Sequence, residues 1–160
     1  MKRICLLALA LASPAFAAPT AFAADEGDAK ARQIAEKVTT EGAAIFDTFD
    51  ARAMAATYDE KGVLTVFRRE KESIEREAHE GRAKVEAAYA ELFKSPETIK
   101  SRNVVEHARL IAPDLLTIDG TFDLNTLKPD SIKVPFHQVR QQKGGKWLVL
   151  SMEISLVPHD

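Results

Sequence analysis

The chain has 160 residues, with 22 lysines and arginines against 24 aspartates and glutamates, and a formal net charge of −2 at pH 7. Because positive and negative residues are interleaved and no basic stripe stands out, nucleic acid and anionic membrane surfaces are poor partners. The only cysteine is Cys5, so the rest of the chain has no internal disulfide and depends on a packed core. The length is enough for one such domain.

The first residues have the order of a secretory signal peptide. A positively charged start is followed by the apolar run Ile4–Ala12 and then by small residues with A-x-A sites, the second at 21–23. This apolar run is too short to span a bilayer. We therefore predict cleavage after Ala23, a periplasmic or secreted location, and a single domain over residues 24–160 that has no further contact with the membrane.

Three helices are predicted in the first half of the remaining chain. One face of a long first helix is marked by apolar residues at helical spacing: Ile34, Val38, Ile45 and Phe49. Asp50 is placed to cap a short second helix, ARAMAATY, which the turn-forming residues 59–62 end. A third helix is predicted over residues 82–94, directly after Gly81, because its apolar residues again follow helical spacing.

Six strands are predicted. Val63–Phe67 is rich in β-branched and aromatic residues, and SIEREAHE at 73–80 is its short, solvated partner. Four further segments of strand length follow, separated by turn residues: NVVEHARLIA, LLTIDGTFDL, KVPFHQVRQQ and KWLVLSMEISLV. The Gly144-Gly145 pair predicts a type I′ hairpin, which needs positive φ at both central residues. Helices first and meandering strands last predict an α+β domain, with the helices on one side of a curved antiparallel sheet.

Alternation predicts which side chains of the later strands share a face. The apolar faces consist of Leu116, Ile118, Phe122 and Leu124 in one strand, and of Leu148, Leu150, Met152 and Ile154 in another. Asp119 and Asp123 lie on the opposite face of the first of these strands, and Trp147 and Val149 on the opposite face of the second. We therefore expect these four residues to point away from the helices.

The chain resembles the nuclear transport factor 2-like superfamily, in particular its SnoaL-like and SgcJ/EcaC-type branches. The resemblance is carried by FDARAMAATYDEKGVL, EGRAKVEAAYAELF, ARLIAPDLLTIDGTFDL and GGKWLVLSMEIS in combination. It implies a cone-shaped, curved antiparallel sheet wrapped around the three helices of the N-terminal half, with a pocket inside. It also implies that Gly81 is the hinge at which the short hairpin turns into the third helix, and that His79 lies near the rim.

Several bulky residues are placed to line such a pocket: Phe46, Tyr58, Phe67, Tyr89, Phe122 and Met152. The two tyrosines add hydroxyl groups that need a partner when they are buried. We therefore predict that the domain binds a small, mostly apolar organic ligand, with no cofactor. The alternative is that the same residues fill an ordinary core.

Enzymatic activity is the second hypothesis. The resemblance to ketosteroid-isomerase-like members would place an aspartate in the strand after the short helix and a tyrosine in the first helix. Val63–Phe67 holds no carboxylate and residues 25–50 hold no tyrosine, so that chemistry is not carried over. His137 is the remaining candidate general base for an isomerase, dehydratase or oxidoreductase-type reaction, with Asp119 or Asp123 as its partner. Alternation leaves the orientation of His137 open, because Phe136 competes to be the buried neighbour.

No metal site is predicted. Glu75, Glu77 and His79 alternate along one strand and are possible ligand types, but a charged edge strand explains the same pattern. The third hypothesis is a structural module that forms a homodimer through the outer face of the sheet. That face would present Trp147 and Val149, together with His107 or Val105.

Overall fold

The computed structural model describes residues 22–95 and 99–157 as three helices and six strands, in the predicted order. The helices are α1 (Phe22–Phe46), α2 (Ala51–Ala56) and α3 (Arg82–Leu92). The strands are β1 (Tyr58–Glu70), β2 (Ser73–Glu80), β3 (Arg102–Ala112), β4 (Leu115–Leu124), β5 (Ile132–Lys143) and β6 (Lys146–Leu156). The α+β prediction is confirmed. Within these ranges no helix is both long and apolar enough to cross a membrane.

The predicted signal peptide and its cleavage after Ala23 concern the start of the chain. Residues 1–21 lie outside the described residues. Both therefore stay predictions, as does the domain boundary at residue 24.

The six strands form one curved, open sheet in the order β2-β1-β6-β5-β4-β3. Neighbouring strands are antiparallel except for β1 and β6, which run parallel. A parallel pair needs a long crossover connection, and everything from β2 to β5 supplies it. The sheet is thus mixed, whereas the sequence predicted a wholly antiparallel one.

Two apolar clusters join the helices to the concave face of the sheet. One groups α2 and α3 with β1 around Met54, Tyr58 and Val85. The other packs α1 against β3, β4 and β5, where Ala31 and Ala35 are completely buried and, being small, allow the helix to approach the strands closely. Met152 and Ile154 of β6 pack against both clusters.

Local features at the ends of α2 and α3 confirm two sequence predictions. Asp50 caps α2, since its carboxylate accepts the backbone N–H of Ala53 at 2.9 Å. Gly81 precedes α3 with φ 84° and ψ 151°, a conformation that is essentially restricted to glycine. Arg82 then donates to the Tyr58 carbonyl from Nη2 at 2.7 Å and from Nε at 3.2 Å, which fixes the start of α3 against β1.

Strand β1 is longer than predicted. Residues 59–62, expected to be a turn, lie inside the strand, where the pairing with β6 jumps from Tyr58 opposite Val149 to Val63 opposite Ser151. Gly62 permits this irregularity, because a Cβ there would stand 2.6 Å from the Val149 carbonyl oxygen.

A β-bulge in β6 overturns part of the predicted outer face. Val139 pairs with Ser151 and Arg140 with Val149, so Leu150 has no partner on β5. One extra residue reverses the alternation. Val149 is therefore completely buried and Trp147 packs on the apolar cluster beneath α1, so the prediction that both point outward is wrong.

The remaining predicted members of the outer face divide between the two sides of the sheet. Val105 is buried among the core residues under α1, whereas His107, beyond a second irregularity, is exposed. The β5–β6 turn is as predicted, with φ of 55° at Gly144 and 78° at Gly145.

Candidate functional site

A cavity of about 650 Å³ lies between the helices and the concave face of the sheet. Its wall is mostly apolar. Its strand residues include Leu64, Val66, Phe122, Val134, Phe136, Met152 and Ile154, and its helix residues include Phe46, Ala88 and Tyr89. The cavity is large enough to receive a small organic molecule.

Five of the six residues that the sequence predicted for ligand contact line this cavity. They are Phe46, Tyr58, Tyr89, Phe122 and Met152. Phe67 does not, because Leu64 and Val66 face the cavity and strand residues alternate. The structure thus corrects the placement of Phe67 to the outer face, and contact of the other five with a ligand stays a prediction.

Edge-to-face aromatic contacts hold one wall in place. The ring of Phe46 lies 5.2 Å from that of Phe93 and 5.0 Å from that of Phe122, both in T-shaped geometry. Phe93 also contacts Phe49, which has positive φ just after α1. Such contacts between α1, the end of α3 and β4 give the wall a fixed shape.

Two tyrosine hydroxyls meet inside the cavity wall. The hydroxyl oxygens of Tyr58 and Tyr89 are 3.1 Å apart, so one hydroxyl donates to the other. Burial raises the pKa of both side chains, and that of Tyr58 well above its usual value near 10. Both tyrosines are therefore neutral at physiological pH and act as hydrogen-bonding groups.

The tyrosine pair predicts an unusual alkaline titration. Because Tyr58 and Tyr89 are the only tyrosines, tyrosinate absorbance at 295 nm reports this pair alone. We expect ionisation to begin above the ordinary tyrosine range and to coincide with unfolding. The unfolded chain loses its phenolic protons first, so the free energy of unfolding falls as pH rises above about 10. A single reversible transition near pH 10 in the folded protein would contradict this burial.

Two buried polar side chains stand on the same face of β5 as the apolar wall residues. Gln138 and Arg140 are only 3% and 5% exposed. The Nε of Arg140 donates to the Gln138 side-chain oxygen at 2.7 Å, and its Nη1 donates to the Trp147 carbonyl at 3.2 Å. Sequence reasoning missed both residues, although their alternation with Val134 and Phe136 was the available signal.

Charged side chains surround the mouth of the cavity. Arg68 donates to Glu77 at 2.8 Å, and His79 Nε2 lies 3.3 Å from the other Glu77 oxygen. His79 is at the rim, where its position predicted it. Its side chain is only 20% exposed, however, so it is not the freely solvated histidine that a turn-side position suggests.

His137 lies on the outer face of the sheet. Its neighbours Phe136 and Gln138 point inward, so His137 points outward and pairs with Asp119, Nδ1 to Oδ1 at 2.6 Å. Both side chains are exposed by more than two-fifths. A general base must come within hydrogen-bond reach of its substrate, so the prediction of His137 as base for a ligand in the cavity is corrected. The outward orientation predicted for Asp119 is confirmed.

The outer face carries a cross-strand row of acidic and histidine residues. His137 stands between Glu153 of β6 and Asp119 of β4, and Asp119 stands opposite His107 of β3. The His137–Asp119 hydrogen bond joins β5 to β4 in this row, and cross-strand side-chain pairs of this kind stabilise a sheet modestly. In the described ranges no three histidine, cysteine or acidic side chains are arranged to hold a metal ion.

Comparisons with solved structures show the fold. A scytalone dehydratase-like protein from Novosphingobium aromaticivorans aligns with a TM-score of 0.65 at 9% identity, over 81% of this chain and 86% of that one. The chain has the NTF2-like, cystatin-like fold. An NTF2-like protein of unknown function from Pseudomonas putida gives 0.62 at 14% identity, over 85% and 89% of the two chains. A cystatin-like domain of unknown function from Nostoc punctiforme gives 0.63 at 11% identity, over 79% and 76%. No protein-family model and no curated protein sequence matches the chain.

Proposed function

We propose that this protein is an exported NTF2-like domain of the SnoaL-like, SgcJ/EcaC-type branch that binds a small, mostly apolar organic molecule. The cavity of about 650 Å³ supports this proposal. Ligand sites typically have volumes of about 300–1,000 Å³, with apolar walls and a few convergent polar groups. The wall described above has this composition.

The cavity also weighs against the core-filling alternative. Protein interiors are close-packed and contain few voids larger than a water molecule. Phe46, Phe122 and Met152 line an open space without filling it. Their side chains are therefore available to contact a ligand.

Enzymatic activity remains a second candidate, with a different residue in place of His137. His79 lines the cavity and pairs with Glu77, so it can reach a bound molecule and exchange a proton with it. The similarity to the scytalone dehydratase-like structure supports no more than a shared fold, at 9% identity.

The test is native mass spectrometry of the protein recovered from the exporting cell, compared with the denatured chain. We expect a discrete non-covalent adduct, and a denatured mass that begins at Ala24. A bare native mass across growth conditions would contradict ligand binding. A denatured mass that still includes residues 1–23 would contradict export with cleavage.

The same preparation tests the other two hypotheses. A native mass of two chains establishes the predicted homodimer. Trp147 and Val149 would not belong to its interface, because both point toward the core. Incubation of the released ligand with fresh protein, followed by NMR, tests turnover. A product that disappears with the variant His79→Gln supports an enzyme, and unchanged ligand supports binding alone.

A further inference from the structure

The cavity wall contains a buried cation that has no counter-ion among the residues that the structure describes. Arg140 is 5% exposed and lines the cavity. Its Nε and Nη1 donate to the neutral oxygens of Gln138 and Trp147. In the described part of the chain Arg140 makes no ion pair, and its Nη2 has no acceptor. Buried charges in proteins are normally paired.

Neighbouring groups do not neutralise this charge. Burial lowers the pKa of Arg140 to about 10, so the guanidinium stays protonated at neutral pH. Tyr58 and Tyr89 have raised pKa values and are neutral. Among the groups that influence the pKa of Arg140, the carboxylate of Glu41 has the weakest effect. Glu41 is exposed on α1 and makes no ion pair with Arg140.

Further hydrogen-bond donors of the cavity wall are unused. The side-chain oxygen of Gln138 accepts from Arg140, and its amide nitrogen makes no hydrogen bond within the described ranges. Tyr58 and Tyr89 share one hydrogen bond between two hydroxyls, so one hydroxyl proton remains free to donate. Arg140, Gln138 and the tyrosine pair therefore offer donors and positive charge to the cavity, within a mostly apolar wall.

We propose that the ligand is a carboxylic acid whose carboxylate binds Arg140, assisted by Gln138 and the Tyr58–Tyr89 hydroxyls, while its hydrocarbon part lies against the apolar wall. This inference rests on the proposed ligand-binding function. One guanidinium matches one carboxylate in charge, and guanidinium–carboxylate contacts are among the strongest hydrogen bonds in proteins. A multiply charged phosphate would leave excess negative charge in the cavity.

The experiment compares acids with alcohols of the same carbon skeleton. The probes are octanoate and 1-octanol, decanoate and 1-decanol, and 3-phenylpropionate and 3-phenyl-1-propanol. Binding is followed by fluorescence of Trp147, the only tryptophan, whose carbonyl contacts Arg140, and by thermal shift. We expect at least one acid to bind roughly ten- to a hundredfold more tightly than its alcohol, as charge-assisted hydrogen bonds predict.

Variants of Arg140 assign this preference to the guanidinium. Arg140→Met removes the buried charge, so we expect its ligand-free stability to be maintained and the acid preference to vanish. Arg140→Lys keeps a positive charge and should restore part of the preference. Arg69→Met is the matched control, since Arg69 is exposed on β1 and does not line the cavity. If Arg140→Met does not fold, Arg140→Lys and Gln138→Leu take its place. Gln138→Leu should weaken the binding of acids and leave the binding of alcohols unchanged.

The outcomes separate this inference from the function on which it rests. Equal binding of acid and alcohol by the wild-type protein overturns the carboxylic-acid ligand and leaves apolar binding intact. A preference that survives Arg140→Met also overturns it. No binding by any probe, together with a bare native mass, overturns both proposals.

Discussion

Replacing Gly120 with alanine should destabilise the domain by about 3 kcal/mol, the upper end of the usual range for overpacking. Gly120 lies in β4 between Val105 of β3 and Phe136 of β5. A Cβ at this position would overlap the Val104 carbonyl oxygen and stand 2.8 Å from Cζ of Phe136. The backbone oxygen cannot move aside without separating β3 from β4, so the strain is not relieved by a side-chain rotation.

The measurement is thermal and denaturant unfolding of Gly120→Ala beside the wild-type protein. We expect the melting temperature to fall by roughly 10 °C, since about 3 kcal/mol corresponds to such a shift in a domain of this size. Gly27→Ala in α1 is the control, because a Cβ there meets nothing within 4 Å. Equal stability of the two variants would mean that β3 and β4 are not packed this closely at Gly120.

Gly120 also connects the fold with the cavity. The ring of Phe136 occupies the space that a side chain at 120 would need, and the same ring lines the cavity. A larger residue at 120 would push the ring into the space proposed for the ligand. Ligand affinity of Gly120→Ala should therefore fall together with its stability.

Much of the fold could be predicted because its signals are local. The Asp50 cap, the positive φ at Gly81 and the two-glycine turn before β6 each depend on the chemistry of one or two residues. Alternation in β4 likewise predicted which of its side chains face the helices. These features need no knowledge of distant contacts.

The remainder depends on how the strands pair with one another, which the pattern within one strand does not reveal. The bulge at Leu150 reverses the faces of Trp147 and Val149, and alternation within β6 alone gives no sign of it. The parallel pairing of β1 with β6 is likewise invisible in either strand. Sequence reasoning followed uninterrupted alternation and therefore placed these two residues on the wrong side.

The candidate site was predicted in its apolar part and missed in its polar part. Bulky residues at regular spacing indicated the wall, whereas His137, the residue predicted to act as general base, points outward. Arginine is mostly exposed in proteins, so the position of Arg140 in the alternating pattern of β5 is a weak signal by itself. Its significance follows from its burial without an ion pair to any described residue, a property that appears only in the folded chain.

The proposed site makes a second strong prediction at Met152. This residue faces the cavity from β6, opposite Leu64 of β1 and Gln138 of β5. Replacement by tryptophan projects a large ring into the space between them. We expect Met152→Trp to lower the affinity for the captured ligand about a hundredfold, equivalent to about 2.7 kcal/mol of binding free energy. The fold should survive, because the cavity supplies room that a filled core lacks.

Leu148→Trp is the matched control for Met152→Trp. Leu148 lies on the same strand but pairs with Gln141 on the other side of the bulge, so its side chain points away from the cavity. Ligand occupancy by native mass spectrometry and affinity by calorimetry should be unchanged in this variant and lost in Met152→Trp. If Met152→Trp melts normally and still captures the ligand at wild-type affinity, the ligand binds elsewhere. If both variants lose ligand binding, β6 does not pair with β5 in the register described here, and that register is what positions Gln138 and Arg140 inside the cavity.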